Sequence, residues 1–186
     1  MGRMCAMAMA VISLVLPAGC EKEAPRSPGG RLRDAAEHGD AVQVRRLLEK
    51  GAVNVNDKND YDASALHNAA RYGHPEVVKA LLDKGADINA LNHVGWTPLH
   101  FAAMYGHAEV ARMLVSRGAA LDIQDRHGRT PLHYASLQNN REMAELLGSA
   151  GANRSVADES GLTAAEAAKA RTVRSRQKPP EKGGNG

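Results

Sequence analysis

The apolar positions of this chain recur in short bursts at helical spacing, and each burst is cut off by a glycine. The clearest burst lies in the middle. Leu99, Ala102 and Ala103 fall on one stripe of a helix that starts at Thr97 and Pro98, where the hydroxyl can cap the first turn and proline fills a position that needs no backbone N–H. Gly106 stops that helix in a conformation other residues resist. A second helix follows, with Glu109 in its first turn, Val110, Met113 and Leu114 as its apolar face and Gly118 at its end. Each is about ten residues long, too short to hold in water alone, so stability must come from stacking one helix pair on the next.

The pattern repeats. Moving Thr97-Pro98-Leu99-His100 by 33 residues lands on Ser64-Ala65-Leu66-His67 in one direction and on Thr130-Pro131-Leu132-His133 in the other, and the same shift carries Gly85-Ala86 to Gly118-Ala119 and Gly151-Ala152. With this period and the Thr-Pro-Leu-His-x-Ala motif, the chain resembles ankyrin-repeat proteins over roughly residues 30–171. The resemblance implies an all-α solenoid of stacked helix-turn-helix units joined by β-turn or hairpin loops.

Four units are expected at 31–58, 59–91, 92–124 and 125–157, then a C-terminal half-unit at 158–171. Arg31, Arg33 and Glu37 give the first unit a polar outer face, as an end repeat needs. The second has Asp62 where its neighbours have glycine. The fourth has Asn139-Asn140 for Gly-His, and asparagine tolerates the left-handed conformation of a helix end. In the half-unit Glu166 replaces the motif histidine.

The N-terminus is of another kind. Met4 to Leu16 is apolar or small throughout, behind Arg3 and ahead of Pro17-Ala18-Gly19-Cys20, which is the anatomy of a secretory signal and shorter than the roughly 20 residues of a membrane span. Residues 16–20 resemble a bacterial lipobox, with Pro17 in the place usually held by leucine. The resemblance implies removal of residues 1–19, acylation of Cys20 and a membrane-anchored lipoprotein facing the periplasm, with residues 20–30 as a flexible tether. The other cysteine, Cys5, lies in the leader, so the mature chain has no disulfide partner for Cys20. Plain signal cleavage after Ala18 or Gly19 is one alternative. A cytosolic or host-directed protein whose first residues are no signal is another.

Composition narrows the function. With aromatics at 3%, the core has to be aliphatic. The net charge of +3 belongs to the C-terminus: residues 171–186 carry five basic and one acidic side chain, whereas residues 31–170 carry 16 basic and 18 acidic. The repeat body therefore lacks the basic face of a nucleic-acid reader, and residues 172–186 read as a disordered basic tail without aromatics to stack on bases.

No glycine-rich phosphate loop, Gly-x-Ser-x-Gly or metal triad is present, which points away from an enzyme or a cofactor. His67, His100 and His133 would stand roughly 10 Å apart in a stack, too far to share an ion. The resemblance implies that each bonds the threonine of its own motif and a neighbouring turn. His74 and His107 read as structural groups at helix connections. Metal or small-ligand binding through surface histidines remains an alternative function.

What is left is the surface. The resemblance implies that turn tips and first helices build one concave face, which binds proteins through the positions that vary between repeats. Those include Asp60, Ala63, Val94, Arg126 and Leu137, and the candidate partner-binding residues among them are Tyr61, Arg71 and Tyr72, then His93, Trp96, Met104 and Tyr105, then His127, Arg129 and Gln138. Tyr61, Tyr72, Trp96 and Tyr105 are expected to be exposed, and Trp and Tyr often dominate interface energy. The expected protein is a monomeric, non-catalytic interaction module with an unidentified protein partner on the concave face.

Overall fold

The computed structural model describes residues 27–49, 51 and 53–177. Residues 1–26, where the expected leader, Cys20 and most of the expected tether fall, and residues 178–186 lie outside the described residues.

The described residues form nine helices: α1 (Pro28–Glu37), α2 (Ala41–Glu49), α3 (Ala65–Tyr72), α4 (Pro75–Asp83), α5 (Pro98–Tyr105), α6 (Ala108–Ser116), α7 (Pro131–Leu137), α8 (Arg141–Ser149) and α9 (Ala164–Gln177). They stack in two rows. An inner row packs α1, α3, α5, α7 and α9 in sequence, and an outer row packs α2, α4, α6 and α8. Hairpin-like turns join one pair to the next, with isolated bridges at Lys58 with Ser64 and Ala157 with Thr163. This is the all-α solenoid the repeats predict.

A continuous aliphatic spine runs between the rows. Leu32, Leu66, Leu99 and Leu132 come from the inner helices, and Val44, Val77, Leu81, Val110, Leu114, Met143 and Leu147 from the outer ones, all buried. Each such large side chain taken out of water contributes about 2 kcal/mol. Buried alanines at 35, 36, 69, 70, 102, 103 and 135 let the inner helices approach closely.

The helix ends follow the sequence. Gly73 and Gly106 close α3 and α5 at φ 75° and 79°, and Asn139 holds φ 55° in the matching place. Asp62, also at φ 55°, does the work of Gly95, Gly128 and Gly161 at the turn tips.

Both ends are longer than the sequence suggests. α1 begins at Pro28, and the Ser27 side chain caps it by accepting the Gly30 N–H at 3.1 Å, so the last residues of the predicted tether are helical. α9 runs to Gln177, which corrects the start of the tail at 172. Its 14 residues hold no glycine or proline and are rich in alanine and arginine, both strong helix formers. Among the described residues, no helix is long and apolar enough to cross a membrane.

Candidate functional site

Interlocking turns carry the face on which the varying residues stand. In the third unit the Nδ1 of His100 accepts both the Thr97 backbone N–H (3.1 Å) and its hydroxyl (2.9 Å), while Nε2 faces the Arg129 carbonyl of the next unit at 3.1 Å. A carbonyl only accepts, so the proton sits on Nε2 and the ring is neutral. His67 does the same with Ser64 and the Ala90 and Trp96 carbonyls, and His133 with Thr130 and the Leu162 carbonyl. Burial lowers the pKa of His67 and of His100 to about 4. Both ring nitrogens of all three are engaged in structure. His74 and His107 reach back instead, placing Nε2 on the Glu37 carbonyl (2.8 Å) and the Arg71 carbonyl (2.9 Å) of the preceding inner helix.

The turn tips are built around Asn59, Asn92, Asp125 and Asp158, whose Oδ1 atoms each accept two backbone N–H groups of their own turn. The tips join edge to edge: His93 N–H bonds the Tyr61 carbonyl, Arg126 N–H that of Val94 and Glu159 N–H that of His127. Where the turn residue is aspartate, its second oxygen is used as well. Asp125 Oδ2 accepts the Trp96 indole N–H at 2.9 Å and the Tyr134 hydroxyl at 2.5 Å, and Asp158 Oδ2 accepts from Arg129 Nε at 3.4 Å. Burial works against charge on Asp125, but the bonds from Tyr134, the Arg129 and His127 amides and Trp96 outweigh it and hold its carboxyl below the usual range. Burial and then Asp125 push the Tyr134 phenol up to about 12.

An aromatic strip crosses the tip-side face. Phe101 packs edge-on against Trp96 (4.9 Å between centroids) and lies parallel to Tyr105 (6.4 Å), and Tyr61 leans on His93 (5.4 Å). Tyr61, Tyr72 and Tyr105 are 65%, 42% and 48% exposed. The Arg71 guanidinium lies over the rings of Tyr72 (5.5 Å) and Tyr105 (5.8 Å).

A family model described as ankyrin repeats (3 copies) matches residues 10–92 and 87–158. The chain belongs to the ankyrin-repeat family. It is 38% identical over 71 residues to ankyrin repeat domain-containing protein 49 of Homo sapiens, covering 38% of this chain and 30% of that protein. It is 42% identical over 69 residues to ankyrin repeat domain-containing protein 40 of Mus musculus, covering 37% and 19%. Over 70 residues it is 44% identical to the probable E3 ubiquitin-protein ligase XBOS33 of Oryza sativa subsp. japonica, covering 37% and 14%. The ankyrin chain thus spans less than a third of the length of these relatives. None of the three is bacterial, and the lipoprotein resemblance rests on residues 16–20 alone. Ankyrin repeats mediate protein–protein interaction; the ligase activity in one name belongs to a protein of which this chain matches a small part.

The ankyrin stack divides the predicted site residues. Tyr61, Arg71, Tyr72 and Tyr105 stand together, exposed, over the second and third units. His93 is exposed but ties its Nδ1 to the Tyr61 carbonyl at 3.0 Å. His127 is exposed beside Glu159, with 3.8 Å between Nδ1 and Oε2. Gln138 is exposed and donates to the sulfur of half-buried Met104. Two residues correct the expectation of free side chains. Trp96 is half-buried and Arg129 is ion-paired to buried Asp158, because each reaches across its unit boundary to the aspartate of the next turn.

Two grooves open on this face of the ankyrin stack. One, about 280 Å³, is lined by Tyr61, Asn68, Arg71, His93, Trp96 and Phe101. The other, about 550 Å³, is lined by Met104, Tyr134, Leu137, Leu162, Ala167 and Ala170 together with Arg129 and Arg171. Phe101 and Tyr134 are the residues sequence reasoning missed. They occupy the position of Asn68, 33 and 66 residues on, so a mid-helix position that changes from Asn to Phe to Tyr was the available signal.

Proposed function

We propose that this ankyrin domain is a non-catalytic protein-binding module, acting as a monomer, whose partner lies across the tip-side, concave face. One observation carries the reading. Tyr61, Tyr72 and Tyr105 are exposed on one face with Arg71 among them, in a chain with only six aromatic residues, and Tyr and Arg are typical anchors of interfaces. The test is replacement of all three tyrosines by alanine, with partner capture measured on membranes of the source organism and folding checked by circular dichroism. Loss of about 2 kcal/mol or more of affinity is expected for anchors of this kind. Unchanged capture by a folded variant would sink the reading.

The finer part of the proposal concerns placement. The apolar run ending in Leu16-Pro17-Ala18-Gly19-Cys20 supports export and attachment to a membrane through acylated Cys20, with the module facing the periplasm. Mass spectrometry of the mature N-terminus tests it: an acylated Cys20 is expected, and an intact Met1 or a cleaved, unmodified chain would refute the anchor.

A further inference from the structure

The last turns of the inner helices, with one residue inside α9, form a row across the tip-side face: Glu37, Arg71, Met104, Leu137 and Ala170. The row changes character between its second and third members. On one side stands Arg71, exposed, with its guanidinium over two tyrosine rings. Among the described residues it has no ion-pair partner, whereas Arg33 and Arg129 on the same turn-bearing side are paired with Asp57 and Asp158. Stacked on rings, a guanidinium keeps its N–H edge free, and that edge matches a carboxylate with two parallel bonds. On the other side of the row the trough of about 550 Å³ begins at Met104, with Met104, Leu137, Leu162, Ala167 and Ala170 as its aliphatic wall and polar residues, Arg129, Asp158 and Arg171 among them, along the rest.

Resting on the binding role proposed above, we infer that the partner is an extended acidic and apolar segment of another protein, its carboxylate on Arg71 and a large aliphatic side chain in the Met104–Ala170 trough. Charge complementarity selects this occupant. Among the described residues Arg71 is in ion-pair contact with no carboxylate, its row neighbour Glu37 accepting from Asn68 instead, and Arg129 and Arg171 stand at the trough with Asp158 as its one acidic wall residue. Arg129 is held by Asp158, and Arg171 donates to the Leu137 carbonyl, so both are fixed where they favour a negatively charged chain. The geometry sets the spacing. Arg71 stands on α3 and the trough centres near α7, two helix spacings of roughly 10 Å away, and an extended chain rises about 3.3 Å per residue, so the acidic and aliphatic residues are about six positions apart.

The experiment pans the purified full chain against a random peptide library displayed on phage and measures the enriched peptides by calorimetry on wild type, Arg71→Gln, Ala170→Glu and Tyr105→Ala. All three substituted positions are exposed, so the fold is expected to survive. The enriched sequences should share Asp or Glu at that spacing from Leu, Ile or Met. Arg71→Gln should weaken them roughly tenfold, as loss of a charged hydrogen-bonded pair does, and Ala170→Glu by at least as much. Peptides that lack the acid and ignore Arg71→Gln, yet weaken with Tyr105→Ala, would overturn this inference and leave the binding role standing. Failure to enrich any peptide sensitive to these substitutions would overturn both. Self-association of the chain abolished by Arg71→Gln would assign the face to a second copy and overturn the proposed occupant.

Discussion

The indole of Trp96 donates to Asp125, 29 residues further on, and so ties the third ankyrin unit to the turn of the fourth. The same carboxylate oxygen takes the buried Tyr134 hydroxyl, while the other oxygen holds the turn itself. Asn59 and Asn92 hold their turns with one oxygen alone. Asp125→Asn should therefore leave the turn intact and remove the acceptor for two donors. A loss of about 2 kcal/mol is expected, within the range for buried donors left unpaired. Urea denaturation followed by the fluorescence of Trp96, the chain's single tryptophan, reads it directly, and an unmoved midpoint would show that the link carries no stability.

Acid should loosen the stack before its carboxylates are neutralised. His67 and His100 hold a pKa of about 4 in the fold, against 6.5 in an open chain. Above that ordinary value both states are neutral and nothing is lost. As pH falls from 6.5 toward 4 the unfolded chain takes up protons that the fold refuses, so stability declines across that window. For each histidine the loss reaches roughly 3 kcal/mol once pH passes below the folded value. Protonation in place would set Nδ1–H against the threonine or serine N–H. Thermal melts stepped from neutral pH to about pH 4.5 should show a falling Tm, and a flat profile would contradict the buried neutral rings.

Two glycines with the same backbone demand should differ in cost. Gly73 (φ 75°) and Gly118 (φ 85°) both sit in the left-handed region. A Cβ on Gly118 meets nothing within 4 Å, whereas one on Gly73 falls 2.4 Å from Nδ1 of His107, whose ring bridges two units. Gly118→Ala should cost about 1 kcal/mol of backbone strain alone. Gly73→Ala should cost clearly more, and equal shifts in the denaturation midpoint would contradict the close approach.

In the last unit Glu166 replaces histidine and still caps its helix, accepting the Thr163 N–H at 2.9 Å and hydroxyl at 2.7 Å. Those two bonds hold its carboxyl below the usual range. A carboxylate has no proton to offer a following turn, and α9 is the last described element. Glu166→Ala should speed amide exchange in the first turns of α9, and Glu166→Gln, which keeps an acceptor oxygen, should do so less. Hydrogen-exchange mass spectrometry distinguishes the two.

The repeat period, the helix pairs and the left-handed Asn139 were legible because each is local or recurs at a fixed spacing. Trp96 was misjudged for a physical reason. Its equivalents are Ala63, Arg129 and Leu162, a series that reads as varied and therefore exposed. The reach of a long side chain to an acceptor 29 residues away leaves no trace in local pattern. Phe101 and Tyr134 stand mid-helix, where local pattern does not separate a ring packed inside from one at the edge of a groove. The arginines after Arg171 read as tail by charge alone, although the stretch lacks any helix breaker before Pro179. Of the face itself, the exposed tyrosines and Arg71 were visible, and the trough was not, since its walls come from three units and take shape only when they stack.

The two sets of histidines point opposite ways along the chain, and this gives the molecule a direction in which it erodes. Forward-reaching His67, His100 and His133 are buried at the boundary, so each downstream unit is held by a hydrogen bond made out of reach of water, where such a bond is stronger. The first boundary has no such ring: Arg33 stands there, paired to half-exposed Asp57, and backward-reaching His74 is only half-buried. Detachment at that seam leaves groups that solvent can satisfy at once. Fraying therefore starts at α1 and α2 and stalls at α3, and the surface carrying Arg71 and the tyrosines lies on the sheltered side of that break.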